Sequence, residues 1–310
     1  MSIKFSVVIP LFNKELYILK ALQSVFNQKH SDFEVIVVDD SSTDNSLALV
    51  KSLKDERIKI ISHKNNMGLS ATRNTGITAA KNNYIAFLDA DDFWHVDFLS
   101  SIIELINRFP DEKVFATYYT ENFNNKLLKP KIKLASSQRG KFFIVTNFFN
   151  VSLGKSILTQ SGMAVHKTVL KDIKNYNPLV TFAEDLDFYT RCLSKFNLAY
   201  YYKSCYQINS TVANSLARSN TSDKIYPDLK KHLGDNDDLN SYIYFNIYSF
   251  CQRLKLEGRN NESKNLISDI DLNYLSLTQK VLLFLPGYIY KPLLFVKNKC
   301  LSFGFQLSSY

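Results

Sequence analysis

Acidic side chains follow two apolar segments of the chain, at the points where a strand would end. They are Asp39 and Asp40 after FEVIVV, and Asp89, Asp91 and Asp92 in LDADD. Several acids at one edge of a sheet repel each other and need a cation or hydrogen-bond donors nearby. Carboxylate oxygens suit Mg²⁺ or Mn²⁺, and such an ion keeps open positions that a diphosphate can fill; the small Ala90 leaves room for it. Independent helix capping would explain either cluster alone, so the two clusters together indicate a metal and phosphate site.

The elements that would position these acids alternate between strand and helix through the first 120 residues. Short β-branched apolar segments predict strands buried on both faces, at 5–12, 33–40, 57–62, 84–92 and 113–119. Asn13 is a candidate cap for the helix after the first strand, and residues 69–81 predict a weak helix that Gly76 interrupts. Repeated strand–helix units predict an α/β fold with a mainly parallel sheet and helices on both faces. Ligands of such sheets collect beyond the carboxyl ends of the strands, so we expect the acids to share one cleft.

The second half of the chain has a weaker pattern. After Glu121 a Lys- and Asn-rich segment predicts a surface excursion, and strands are expected at 161–167 and 198–202. From residue 223 onward the pattern is helical, with one long helix over 241–258 that ends at Gly258. We therefore predict an α/β domain over residues 1–220 and a helical C-terminal region over 221–310.

Composition excludes several classes of protein. The 310 residues are 45% apolar and 22% charged, which is normal for a globular protein and excludes a disordered or fibrous chain. Four widely spaced cysteines, without CxxC or a neighbouring His, argue against a zinc site or a disulfide framework and favour the reducing cytosol. The first residues lack the features of a signal peptide, so we expect a cytoplasmic protein.

The net charge of +9 is concentrated toward the C-terminus. Residues 272–310 contain four Lys and no Asp or Glu, and the apolar segments VLLFLPGYIY and PLLFV flank Lys291. Both segments are shorter than the ~20 apolar residues that span a bilayer. Apolar clusters mixed with Lys and Tyr are typical of a segment that lies on an anionic membrane surface. The alternative is a C-terminal helix packed on the body of the protein.

Five segments resemble those of family 2 glycosyltransferases with a GT-A fold, in the same order and spacing. They are VVIPLFNKE, VVDDSSTDNS, NNMGLSATRNTG, YIAFLDADD and AEDLDFYTR. The resemblance covers residues 3 to 205 and makes 1–220 the nucleotide-sugar-binding and catalytic domain. It implies an inverting, metal-dependent enzyme that moves a sugar from a nucleotide donor, favoured as UDP, to a saccharide or lipid-linked saccharide. The basic, aromatic tail looks like that of members that build bacterial surface polysaccharides on the inner face of the cell membrane.

The resemblance also assigns residues to the nucleoside pocket. The positions carried over are Pro10, Phe12, Asn13, Glu15, Asp39 and Asp40. Phe12 would pack on the nucleobase, and Pro10, Asn13 and Glu15 would shape the pocket. Asp40 falls where a carboxylate accepts the base imide N–H, with Asp39 as its second candidate.

The remaining positions carried over concern the diphosphate, the metal and catalysis. Arg73 matches a basic residue near the base or diphosphate, Asp89 an acid near the ribose and metal, and Asp91 the direct metal ligand. Glu184 and Asp185 match the acidic pair that supplies the catalytic base; we prefer Asp185. One base and one direct displacement invert the anomeric carbon, whereas retention through a covalent intermediate needs a second, nucleophilic carboxylate. For Glu184 and Asp185 the alternative is a pair of helix-start acids stabilised by the macrodipole.

The chain departs from the family pattern after residue 202. No His stands where some relatives have a further metal ligand, so coordination would rest on Asp91, the diphosphate and water. Asn209, Ser215 and Arg218 are candidates for a loop over the donor or for solvated loop residues. A QxxRW motif is absent from the sequence, which favours transfer of one sugar per encounter.

Two other classes of protein remain as alternatives. A sugar nucleotidyltransferase should have a Gly-rich phosphate loop after the first strand, where this chain has PLFNKE. A basic nucleic-acid-binding module is opposed by the interior acids and by the position of the lysines beside Leu and Phe.

Overall fold

A mixed sheet of ten strands runs through the residues that the computed structural model describes, which are 3–210, 212 and 223–302. The strands are β1 (Phe5–Leu11), β2 (Phe33–Asp39), β3 (Ile58–Ser62), β4 (Tyr84–Phe87), β5 (Phe93–Trp94), β6 (Val114–Phe123), β7 (Lys126–Leu128), β8 (Phe142–Val145), β9 (Met163–His166) and β10 (Leu198–Asn209). Their order is β3-β2-β1-β4-β9-β6-β10-β5, with β7 beside β6 and β8 beside β10. The pairings make β1 to β4, β6 and β10 run in one direction, so the predicted class of sheet is confirmed.

Helices cover the sheet and form the C-terminal region. They are α1 (Ile18–Phe26), α2 (Ser46–Ser52), α3 (Leu69–Ala79), α4 (Phe98–Arg108), α5 (Phe148–Val151), α6 (Lys167–Ile173), α7 (Glu184–Leu193), α8 (Asp237–Leu256), α9 (Asn260–Ile267), α10 (Leu277–Phe284) and α11 (Gly287–Ser302). Helix α3 packs on β1 and β2, and α4 packs on β6 and β10. Every residue of β1 is buried, as expected for a strand covered on both faces.

Gly76 lets α3 approach the sheet closely. A Cβ at this position would lie 2.3 Å from Val8 Cγ1, well inside van der Waals contact. The prediction that Gly76 interrupts the helix is wrong, because α3 continues through it to Ala79. The glycine instead serves the packing of α3 on β1, which brings Arg73 of α3 to the sheet edge.

Two predicted strands have different lengths in the structure. Strand β4 ends at Phe87, and Asp92 N donates to Asp89 O at 3.0 Å, so the acids lie on a turn after the strand. Strand β10 continues to Asn209, well beyond the predicted end at residue 202. The segment predicted as a surface excursion also contains β8, which pairs antiparallel with the start of β10. These pairings are long-range, and local pattern therefore missed them.

The C-terminal helices pack on the α/β part of the chain. Helix α8 packs on α5, with the Tyr242 ring 6.1 Å from that of Phe148 and 5.3 Å from that of Phe149. The predicted boundary at residue 220, with Ser215 and Arg218, lies outside the described residues. Among the helices that are described, none combines the length and hydropathy needed to cross a bilayer.

Candidate active site

The carboxyl ends of the parallel strands bring the predicted residues to one edge of the sheet. Leu11 at the end of β1 lies beside Asp39 at the end of β2, and Val8 of β1 lies beside Phe87 at the end of β4. Strand register therefore places both acidic clusters and the segment after β1 next to each other. Phe12 is 43% exposed at this edge, and Pro10 is buried within β1.

The segment after β1 is fastened to the loop after β2. Asn13, with φ of +50°, accepts hydrogen bonds through Oδ1 from Thr43 N at 2.8 Å and Asp44 N at 3.4 Å. Glu15 Oε2 accepts from Asn45 N at 2.9 Å. The predicted cap role of Asn13 is wrong, because α1 begins at Ile18. Asn13 and Glu15 thus hold the segment after β1 and the loop after β2 together.

Asp40 organises the loop that leads into α3. Its Oδ1 lies 2.7 Å from His63 Nδ1 and accepts from Met67 N, while its Oδ2 accepts from Gly68 N, each at 2.8 Å. Asp39 is also buried, but in the described part of the chain its carboxylate accepts one long bond, from Ser42 N at 3.4 Å. Of the two candidates for the base imide, Asp39 therefore has more acceptor capacity left.

Arg73 joins the acids after β4 to the acidic pair at the start of α7. The guanidinium is 2% exposed, and its two terminal nitrogens donate to Glu184 Oε1 at 2.7 Å and to Asp89 Oδ1 at 2.8 Å. It also lies over the Tyr176 ring, 5.2 Å from the ring centre. Burial lowers the pKa of Arg73, but Asp89 and the other negative groups outweigh it and raise the pKa well above its usual value. Arg73 thus links two parts of the site that are far apart in the chain.

The turn after β4 is held by residues from distant elements. Asp92, nearly fully buried, accepts from Ser161 Oγ at 2.6 Å and from Asn209 N at 2.9 Å. Burial raises the pKa of Asp92 well above its usual value, and the negative charges of Asp91 and Asp89 add to this effect. Ser161 also accepts from Asp89 N at 3.1 Å. No local pattern could single out Ser161, because its partners lie 69 and 72 residues away.

Asp91 forms an ion pair that the sequence did not predict. Its Oδ2 lies 2.7 Å from Lys14 Nζ, and both side chains are 16% exposed. Asn209 Nδ2 donates to the Asp91 carbonyl at 2.6 Å and fixes the backbone there. Burial raises the pKa of Asp91, and the Lys14 ammonium opposes this rise.

Glu184 and Asp185 begin α7 and differ in their partners. Ala183 before them has a left-handed backbone with φ of +58°, which is strained for a residue with a Cβ. Glu184 is bound by Arg73, whereas within the described residues Asp185 accepts one hydrogen bond, from Leu186 N at 2.9 Å. Burial, followed by the charge of Glu184, raises the pKa of Asp185 to about 7. A partly exposed carboxylate with this pKa, and with no salt bridge to the residues that the structure describes, is suited to general base catalysis.

Asp91 and Asp89 each have an oxygen that could bind a divalent ion. Within the described residues, Asp91 uses Oδ2 for Lys14 and Asp89 uses Oδ1 for Arg73, so the second carboxylate oxygen of each residue has no side-chain partner. No group of three or more His, Cys, Asp or Glu suited to a metal occurs in the part of the chain that the structure describes. Mg²⁺ is commonly bound by one or two carboxylates plus substrate phosphates and water. The residues present therefore fit Mg²⁺ or Mn²⁺ that is shared with a diphosphate.

More than half of the chain is similar to a known protein family. Residues 6–174, more than half of the chain, match the family model described as glycosyl transferase family 2. This chain belongs to glycosyl transferase family 2. The matched region of this family 2 chain contains Arg73 and the acidic clusters after β2 and β4, and it ends before Glu184 and Asp185.

Curated relatives are similar over part of this family 2 chain. It is 36% identical over 121 residues to glycosyltransferase GlyA of Streptococcus pneumoniae, which covers 38% of this chain and 17% of GlyA. It is 35% identical over 113 residues to the UDP-Glc:alpha-D-GlcNAc-diphosphoundecaprenol beta-1,3-glucosyltransferase WfaP of Escherichia coli, which covers 36% of this chain and 44% of WfaP. The chain thus matches less than half of the length of either relative.

The fold matches a solved structure over most of the chain. Residues 1–349 of Staphylococcus aureus TarS in complex with UDP-GlcNAc superpose with a TM-score of 0.61 and 20% identity. The match covers 91% of this chain and 78% of the TarS chain. At this level of identity the likeness establishes a common GT-A fold.

Proposed function

We propose that the protein is an inverting glycosyltransferase that moves a sugar from a UDP-sugar to a saccharide or lipid-linked saccharide in the synthesis of cell-surface polysaccharide. Family membership supports sugar transfer, and the names of WfaP and of the TarS complex support a UDP-linked donor and a lipid-diphosphate acceptor. The observation that carries the proposal is the bridge through Arg73. Its bonds to Asp89 and Glu184 put the acids after β4 close to Asp185, which forms no salt bridge within the described part of the chain.

The donor would lie along the edge formed by β1, β2 and β4. Phe12 offers an exposed aromatic face for the base, and Asp39, opposite Leu11 in the strand register, offers a carboxylate. Asp89 and Asp91 would hold Mg²⁺ or Mn²⁺, whose charge stabilises the departing diphosphate.

Asp185 would act as the base in a single displacement. Its carboxylate takes the proton of the acceptor hydroxyl as the oxygen forms a bond to the anomeric carbon. The bond between that carbon and the diphosphate oxygen breaks at the same time, and the nucleoside diphosphate leaves with the electron pair. Attack from the face opposite the leaving group inverts the anomeric carbon.

A donor screen tests this proposal. The protein is heated with a panel of nucleotide sugars plus Mn²⁺, and the true donor should raise the thermal midpoint because it binds the folded state. With that donor and a lipid-linked acceptor, the products should be the extended acceptor and a nucleoside diphosphate. Failure of every nucleotide sugar to bind would overturn the proposal. Release of pyrophosphate from a nucleoside triphosphate and a sugar phosphate would instead support a nucleotidyltransferase.

We further propose that α10 and α11 bind the anionic inner face of the cell membrane. Leu282, Leu283 and Tyr290 pack on the body, whereas Phe284 is 62% exposed and Phe295 is 68% exposed. Further exposed apolar side chains lie on the same two helices, namely Leu277, Val281, Tyr288, Leu293 and Val296. The sequence from 272 to 310 has lysines and no acids, which suits an anionic surface.

Sedimentation with vesicles tests the membrane proposal. Vesicles of phosphatidylcholine and phosphatidylglycerol should carry the protein down, and pure phosphatidylcholine should do so much less. The double variant Phe284→Ser and Phe295→Ser should stay in the supernatant. The matched control Leu127→Ser, at another exposed apolar residue, should sediment with the vesicles like the wild type. Retention on DNA columns with no binding to vesicles would refute it.

A further inference from the structure

Lys14 is the one side chain seen to bind the predicted metal carboxylate in the described part of the chain. The Nζ atom lies 2.7 Å from Asp91 Oδ2, and both side chains are largely shielded from water. Such shielding distinguishes this pair from exposed ion pairs, which contribute little and are easily screened.

The position of Lys14 is set by its backbone. Lys14 N donates to Ser46 Oγ at 2.7 Å, and Ser46 is fully buried at the start of α2. The neighbouring bonds of Asn13 and Glu15 to the same loop hold Lys14 on both sides. These backbone hydrogen bonds therefore position the Lys14 ammonium next to Asp91. The long, flexible side chain still allows the ammonium to move.

An ammonium at this place and a divalent ion compete for the same carboxylate. Both are cations, and an ion on the other oxygen of Asp91 would lie within a few ångströms of the ammonium on Oδ2, so charge repulsion requires Lys14 to give up that contact. A diphosphate that arrives with the metal provides new acceptors for the displaced ammonium. Lysine binds phosphate as a mobile point charge with three donors.

We propose that Lys14 holds the cation position on Asp91 in the donor-free enzyme and transfers to the donor diphosphate when the metal binds. This inference rests on the proposed function, since it takes Asp91 as a metal carboxylate. This movement of Lys14 makes the binding of metal and donor positively cooperative. The ion binds weakly by itself and much more tightly together with the nucleotide.

Titration with Mn²⁺ alone, followed by electron paramagnetic resonance of the free ion, tests the proposal without any transfer reaction. Lys14→Met should bind Mn²⁺ about tenfold more tightly than the wild type, because the competing cation is gone. Lys14→Arg keeps the charge and should remain close to the wild type. Lys20→Met is the matched control, because it removes the same charge from an exposed lysine whose ammonium lies over the Phe93 ring, 4.0 Å from its centre.

A second titration in the presence of UDP measures the coupling. UDP should raise the Mn²⁺ affinity of the wild type by a larger factor than that of Lys14→Met, with a difference of about tenfold. Equal Mn²⁺ affinity for Lys14→Met and Lys20→Met would overturn the inference.

The two proposals fail in different ways. If Asp91→Asn abolishes Mn²⁺ binding but Lys14→Met leaves it unchanged, the metal site is supported and the proposed role of Lys14 is refuted. If neither the wild type nor Lys14→Met binds Mn²⁺, both the metal site and the competition are refuted.

Discussion

Replacement of Asp185 by Asn should abolish sugar transfer and at the same time stabilise the protein. The Asp185 carboxylate is the proposed general base, so its loss should lower kcat by about 10²–10⁴-fold. Asn has nearly the same shape and carries no charge. The substitution removes the free-energy cost of a charged carboxylate that is largely shielded from water and lies next to Glu184.

The size of the stabilisation follows from the pKa of Asp185. A rise from 3.8 to about 7 corresponds to at most about 4 kcal/mol of destabilisation by the charged form. The side chain is partly exposed, so solvent screening reduces this to about 1–3 kcal/mol. The folded state binds the proton more tightly than the unfolded state, so the cost is fully present above about pH 7 and shrinks as the pH falls toward about 4.

Chemical denaturation and donor titration measure both effects. The free energy of unfolding of Asp185→Asn should exceed that of the wild type at about pH 8, and the difference should fall by more than half at about pH 5. Donor affinity by calorimetry should be almost unchanged. The control is Asp111→Asn, since Asp111 is exposed, and this change should alter neither stability nor activity.

Two results would refute the reasoning about Asp185. A loss of stability at about pH 8 would mean that the charged carboxylate is stabilised by its surroundings. A loss of donor affinity with little change in kcat would place Asp185 in the donor pocket and remove it as the base.

Three further predictions concern the pKa of Asp185, the salt bridges of Arg73 and the packing of Gly76. The transfer rate kcat/KM should fall about tenfold for each pH unit below about 7, as Asp185 takes up a proton; a flat profile down to about pH 5 would exclude this base. Arg73→Met should lower the free energy of unfolding by about 3–5 kcal/mol in denaturant, because two acids lose their buried partner, whereas Arg108→Met at an exposed pair should cost less than about 1 kcal/mol. Gly76→Ala should destabilise by about 1–3 kcal/mol although Ala favours helix, because the new Cβ meets Val8; a stabilised variant would contradict the close packing.

Much of the fold could be predicted because its elements are marked locally. The β-branched segments at β1 and β2 are buried on both faces, and such strands have an unmistakable composition. The acids at the ends of β2 and β4 follow directly from this, since parallel strands share an edge. Resemblance to the family added a predicted role in catalysis for Glu184 and Asp185, which composition alone left open to a helix-start explanation.

Other features could not be predicted because they depend on partners far away in the chain. Arg73 was expected near the base or diphosphate, but the structure binds it to Glu184, 111 residues away, and to Asp89. Asp40 was expected to face the base, but the structure uses its oxygens to hold His63 and the loop before α3. The site roles assigned to these residues stay predictions until they are tested.

The amino-acid sequence by itself determined the positions of β1 to β4 and β6 and the sheet edge at which the acids gather, because periodicity and burial act over a few neighbouring residues. Only the tertiary structure decided which acid forms a salt bridge. Lys14 binds Asp91 and Arg73 binds Glu184, whereas among the described residues Asp185 accepts a hydrogen bond from a backbone N–H and forms no salt bridge. The charge state and reactivity of a carboxylate depend on the groups within a few ångströms of it, and in this protein the packing of separate elements brings those groups together.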